Sequence, residues 1–182
     1  MTFSSESIDD KVIQRASAGE RTAQREIYEH YRLRTFRLVR RIVGEPDAED
    51  VTQDSFIKIF AKLNTFRFES QFTTWLHRLV VNEALQHVRI RSRSNVRTRA
   101  LMESDAIQAD GAEAIDNAEL LEAAMSRIEP ELRVVFELKE VDRLPYAEIA
   151  EIVGIPEGTV GSRLNRARRE LHQHLTLLGW EG

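Results

Sequence analysis

Cysteine is absent from the 182 residues, which excludes disulfides, thiolate nucleophiles and cysteine-bound zinc or iron–sulfur centres. Proline and glycine are scarce, at 4 and 8 residues, and alternating apolar–polar runs are rare, so strand and hairpin signals are nearly missing. No stretch of 18 apolar residues occurs, and the start, MTFSSESIDDKV, has neither a basic cluster nor an apolar run. These absences predict a cytoplasmic protein without membrane insertion. Walker, GxGxxG and GxSxG motifs are also lacking, and of the histidines (His30, His77, His87, His172 and His174) the last two diverge on a helix. The Glu49-Asp50 pair falls at a helix start, where electrostatics explains it without acid/base chemistry. No enzymatic activity, cofactor or metal is expected.

What the chain does contain is helical periodicity, which predicts an all-α fold: two small helical domains joined by a flexible acidic linker, the second carrying a helix-turn-helix. The net charge of −4 hides a strongly uneven distribution. Leu144 to Leu171, LPYAEIAEIVGIPEGTVGSRLNRARREL, reads as a short helix, a tight turn and a longer basic helix. Pro145 opens the first helix, Gly154 ends it, and Ile155 to Gly158 form the turn. Val160, Leu164, Ala167 and Leu171 make an apolar stripe toward a core. Ser162, Asn165, Arg166 and Arg169 line the opposite face, where they can meet base edges or phosphates, while Gly158 and Thr159 leave the helix start open to close approach.

Taken in order, Ile8 to Tyr31 predicts a helical pair around the Ala18-Gly19-Glu20 break, followed by a further helix from Leu33 to Val43 with Arg34, Arg37, Arg40 and Arg41 largely outward. In the next helix, DAEDVTQDSFIKIFAKL, Val51, Phe56, Ile59, Phe60 and Leu63 supply a buried side. Asp50, Gln53, Asp54 and Ile57 share another face, where an apolar residue beside two acids and an amide suggests either a docking strip or an ordinary solvated face. NTFRFESQFTTW is an ordered loop whose Phe66, Phe68 and Phe72 pin it down, unless one offers a stacking surface to an unpaired base. The following helix sets Arg78, Asn82, Gln86 and Arg89 in one polar stripe and continues through Arg91, Arg93, Arg97 and Arg99 with Glu83 as its single acid. Such a strip suits phosphates and exposed bases. The segment 99–117 then turns acidic and divides the chain into domains 1–98 and 118–182. The tail around Trp180 either caps the second domain or meets a partner.

DAEDVTQDSFIKIFAKLNTF, then FTTWLHRLVVNEALQHVRIRSR, then LPYAEIAEIVGIPEGTVGSRLNRARREL resemble, in that order and spacing, the extracytoplasmic-function (ECF, group 4) sigma factors. The resemblance implies an alternative sigma factor that binds the bacterial RNA polymerase core and directs it to promoter DNA, both duplex and melted strand. It assigns Asp50, Gln53, Asp54 and Ile57 to docking on the clamp helices of the largest polymerase subunit. It assigns Glu69, Ser70, Gln71, Phe72, Arg78, Asn82, Gln86 and Arg89 to the −10 element, with the loop residues holding a flipped base. Thr159, Gly161, Ser162, Arg163, Asn165, Arg166 and Arg169 fall to the −35 element. An anti-sigma factor is a further implied partner. The chain departs from the family pattern at Gly161, where a basic residue is frequent, and at Asn165, where a bulky one is. Loss of a bidentate base contact there is worth about 1–3 kcal/mol, so the −35 preference of the best-known members is not expected to carry over unchanged. A stand-alone helix-turn-helix regulator and a protein-interaction module are the rival readings.

Overall fold

The computed structural model describes residues 8–101 and 117–180. Gly19, at φ +92°, separates α1 (Asp10–Ser17) from α2 (Arg21–Val43), whose 23 residues run unbroken. The break expected near Arg32 is therefore absent: no glycine or proline lies between Arg21 and Val43 to interrupt the backbone ladder. Gly44, at φ +89°, ends α2 and admits α3 (Glu45–Lys62), which starts on Glu45-Pro46-Asp47 with its acids at the positive end of the helix dipole. A 3-10 turn at Leu63–Thr65 and a short loop lead to α4 (Phe72–Leu101). The stretch expected to be a flexible linker falls mostly on 102–116, outside the described residues.

The second half comprises α5 (Asn117–Ser126), α6 (Pro130–Phe136), α7 (Tyr146–Val153) and α8 (Glu157–Leu177). Gly154 ends α7 in the left-handed region, at φ 72° and ψ 41°, as the tight turn of a helix-turn-helix requires. Between α6 and α7 the coil widens at Glu137–Val141 into a π-helical turn. Widened turns of this kind are frequent at functional sites. There is no strand among the described residues.

Two cores were expected; the structure instead has one main core that runs through both halves. Ile27, Leu38, Ile42, Ile59, Leu76 and Val80 of the first half are continuous with Val134, Leu138, Ile149, Ile152, Val160 and Leu164 of the second. Among the described residues, Met125, Ile128, Leu132 and Ala167 form a separate small cluster. The physical reason is that α4 lies against α7 and α6, and α2 against α6, so apolar faces that could have closed separately cover each other. Leu121 is exposed on α5. At the C-terminus Gly179 adopts φ +90°, and Trp180 folds back, its N–H donating to the Leu175 carbonyl at 3.0 Å and its ring facing that of His172. The tail thus caps its own helix.

His77 is buried inside the first bundle. Burial, and then the charge of Arg34, hold its imidazole down to about 4. A histidine depressed on folding contributes stability that is full above its unfolded value, near 6.5, and is lost as pH falls toward the folded one. Wild-type chain should lose most of about 3 kcal/mol between pH 7 and pH 4.5 from this group. Urea unfolding at the two pH values, compared with His77→Gln, measures it; equal losses in both proteins would rule out the assignment.

Candidate functional site

Three surfaces carry the residues singled out from the sequence. On α3, Asp50, Gln53, Asp54 and Ile57 are all exposed, with Ile57 at 60%. The buried face of the same helix, Val51, Phe56 and Ile59, fixes that orientation by helical period. Beside Ile57 an open groove of about 700 Å³ runs between α2 and α3, lined by Tyr28, Leu33, Phe36, Gln53 and Phe60 among others. Tyr28 and Leu33 are themselves exposed. The strip is thus one side of a wider apolar groove to which α2 contributes, a part that a reading of α3 alone does not reach.

On the second surface, Arg78, Asn82, Gln86 and Arg89 of α4 are exposed in one row, and Glu69 and Gln71 are exposed in the loop before it, with Ser70 half-buried. Phe72 lies elsewhere: at 7% exposure it sits within a cluster with Tyr31, Phe66 and Trp75, ring centroids 5.3–5.7 Å away. The ring that does reach solvent is Phe68, 43% exposed and at φ 58°, a conformation costly for a bulky residue. Packing between Phe66 and Phe68, 4.7 Å apart, holds it there. Ion pairs from Lys58 to Glu83 and from Arg91 to Asp47 fasten α4 onto α3.

The third surface is the outer face of α8. Ser162, Asn165, Arg166 and Arg169 are exposed, while Thr159, Gly161 and Arg163 are half-buried. Val160, Leu164 and Ala167 are fully buried, so the apolar stripe turns this face outward. Arg166 is not idle: it pairs with Glu129 at 3.0 Å and with Glu170 at 2.9 Å. Gly161 leaves a recess where an added Cβ would lie 3.6 Å from the ring of Tyr146. The ring of Tyr146 is in turn faced by the Lys139 ammonium at 5.1 Å.

Between the second and third surfaces stands Glu131 on α6. Its Oε1 accepts from Arg89 at 2.7 and 3.2 Å. Burial works to raise this carboxyl, but the Arg89 hydrogen bond, a backbone hydrogen bond and the charges of Arg89 and Arg163 outweigh it and hold it below its ordinary value. Among the described residues no group of three or more histidines or carboxylates could hold a metal ion, and no helix is long and apolar enough to cross a membrane.

Residues 27–94 match the model of sigma-70 region 2 and residues 118–171 that of sigma-70 region 4. The ECF RNA polymerase sigma-E factor of Salmonella typhimurium is 34% identical over 184 residues, covering 92% of this chain and 94% of that protein. The sigma-E factor of Escherichia coli K12 is 33% identical with the same coverage. Among solved structures, the sigma factor RpoE of Bartonella quintana, crystallised with the anti-sigma factor NepR, superposes with a TM-score of 0.66 at 25% identity, covering 84% of this chain and 96% of that one. A stand-alone regulator is not favoured, because both sigma regions are matched in order. The chain belongs to the ECF sigma factors of RNA polymerase and is an alternative sigma factor directing promoter-specific transcription.

Proposed function

We propose that the three surfaces divide the work of initiation as follows. The α3 strip of Asp50, Gln53, Asp54 and Ile57 docks on the polymerase core, with the α2 side of the groove completing the contact. The loop Glu69, Ser70 and Gln71, backed by a buried Phe72 and fronted by the Phe68 ring, captures a base leaving the stack at the −10 element. Arg78, Asn82, Gln86 and Arg89 then hold the melted strand. The face from Thr159 to Arg169 enters the major groove of the −35 element, with Gly161 and Asn165 changing what is read there. The observation that carries this reading is exposure: of the residues expected to make these contacts, only Phe72 is buried. Unpairing costs a few kcal/mol, which base capture and the cationic strip offset without nucleotide hydrolysis. The chain has no catalytic part, works in the cytoplasm, and meets an anti-sigma partner on the same faces; the sigma factor RpoE of Bartonella quintana was crystallised with an anti-sigma factor.

Run-off transcription with purified bacterial core and genomic promoter fragments tests the whole. Transcripts that appear only with this protein are expected; their absence, together with no co-elution with core, overturns it. Within the same assay Arg166→Ala should lower transcription from −35-dependent promoters roughly tenfold, in keeping with about 1–3 kcal/mol for a good base contact. The loss is tempered because Arg166 must first leave Glu129 and Glu170. Unchanged activity on those promoters removes Arg166 from the reading face.

A further inference from the structure

The reading face of α8 contains two residues that the fold does not explain. Gly161 lies inside the helix, where glycine is among the least favourable residues. It is not one of the glycines at positive φ, and a Cβ built on it meets nothing nearer than the Tyr146 ring at 3.6 Å, an ordinary contact. Alanine would fit there, and the helix would be firmer for it. Asn165, one turn later, is a weak helix former placed on the exposed side. It makes no hydrogen bond or ion pair with any described residue. Its neighbours are occupied: Ser162 Oγ donates to the Thr159 carbonyl at 2.9 Å, and Arg166 holds Glu129 and Glu170.

In a major groove the chemistry of these two positions becomes specific. A side-chain amide offers one donor, Nδ2–H, beside one acceptor, Oδ1. Adenine alone presents the matching pair, the N7 acceptor beside the N6 amino donor, whereas guanine sets two acceptors side by side and would leave Oδ1 facing O6. Asparagine is short, so it reaches a base edge only if the helix comes close, and Gly161 removes the side chain one turn away on the same face. Behind Gly161 the Tyr146 ring floors a recess. Lys139, whose ammonium donates to the Leu144 carbonyl at 3.2 Å and lies 5.1 Å from the ring centroid, steadies that ring. A recess floored by an aromatic ring suits the C5-methyl of thymine.

We propose, resting on the −35 assignment above, that Asn165 and Gly161 set the bases this chain selects. Asn165 takes an adenine, its Nδ2–H donating to N7 and its Oδ1 accepting from the N6 amino group, and the Gly161–Tyr146 recess takes a thymine methyl. Four residues of helix rise about 6 Å, close to two base steps of about 3.4 Å, so the two preferences fall about two base pairs apart. Arg169, exposed one turn beyond Asn165, suits a phosphate, which sets register without choosing a base.

The test uses holoenzyme. The −35 segment of a promoter recovered by run-off transcription is randomised in linear templates, and the transcripts made by core polymerase with the parent or a variant chain are sequenced. For the parent, one −35 position should favour adenine over each other base by roughly tenfold. Thymine should be favoured about fourfold at a pair about two steps away, the worth of one buried methyl. Asn165→Ala should cut that adenine preference to about twofold or less and keep the thymine preference, and Asn165→Arg should move the first to guanine. Gly161→Ala should erase the thymine preference while raising the melting temperature, which separates lost reading from lost fold. A parent without the adenine preference, or one whose preference survives Asn165→Ala, overturns the Asn165 assignment. A thymine preference that survives Gly161→Ala overturns the recess. A parent that yields no transcript with core sinks the sigma reading, and this assignment with it.

Discussion

Arg133→Met is expected to destabilise the chain by about 3–5 kcal/mol, the range for removing one partner from a buried charged network. The side chain is only 8% exposed, and its guanidinium donates to three carbonyls: Ile42 at 3.0 Å, Ser126 at 2.7 Å and Ile128 at 3.0 Å. Those acceptors close the C-terminal ends of two helices, α2 and α5, where carbonyls lack partners within the helix. Methionine fills much of the volume but donates nothing, so three dehydrated carbonyls are left unpaired at about 1–3 kcal/mol each before relaxation. Burial already weakens the hold of Arg133 on its proton, with Glu137 opposing that trend; removing the cation also leaves Glu137 with Arg41 as its remaining compensating charge. Lysine should not rescue it, since one ammonium lacks the forked geometry that reaches three acceptors. Urea unfolding gives the free energy directly, and the melting temperature should fall by roughly 10 °C. A loss below about 1 kcal/mol would mean that water replaces the guanidinium and that the network is peripheral.

Neither Arg133 nor Arg41 was legible as a structural residue. Helical period places Arg41 beside Arg34, Arg37 and Arg40 and so sends it outward, yet Arg41 is half-buried whereas Arg37 and Arg40 are exposed. The period describes one helix and its neighbours three or four residues away; it holds no information about a carboxyl 101 positions later. The helix-turn-helix, in contrast, was legible because its signals are local. Gly154 supplies a left-handed cap, Pro156 a start, and Val160, Leu164 and Ala167 a stripe, and none of these depends on the rest of the chain. The aromatic loop lies between these extremes. Its order could be read from composition, but which ring is core and which is surface, Phe72 or Phe68, was decided by Tyr31, which no local pattern connects to either; Trp75, one turn after Phe72 on α4, only extends the same face. The same limit explains the cores. Two halves with separate apolar faces were legible, whereas their mutual burial through α4 and α7 was not.

Ile57→Glu should weaken binding to core polymerase by about 3 kcal/mol, roughly 100-fold in Kd, while leaving unfolding within about 0.5 kcal/mol of the parent. The second expectation follows from position: at 60% exposure the side chain contributes little to the fold. The first follows from its surroundings. Ile57 borders an open groove whose floor is Phe36, Phe56 and Phe60 and whose far wall is Tyr28 and Leu33, and contiguous exposed apolar surface of this kind marks a protein-binding face. Full burial of such a side chain at an interface is worth about 1.5–3 kcal/mol. A new carboxylate adds the cost of burying a charge beside Asp54, already a like charge on the same face. Leu177→Glu is the matched control: that leucine is 76% exposed at the end of α8 and remote from the groove, so core affinity should not change. Fluorescence anisotropy of labelled protein titrated with core measures both. Equal affinity for Ile57→Glu and the parent, with the fold intact, would show that the α3 strip is an ordinary solvated face after all and that polymerase grips the chain elsewhere.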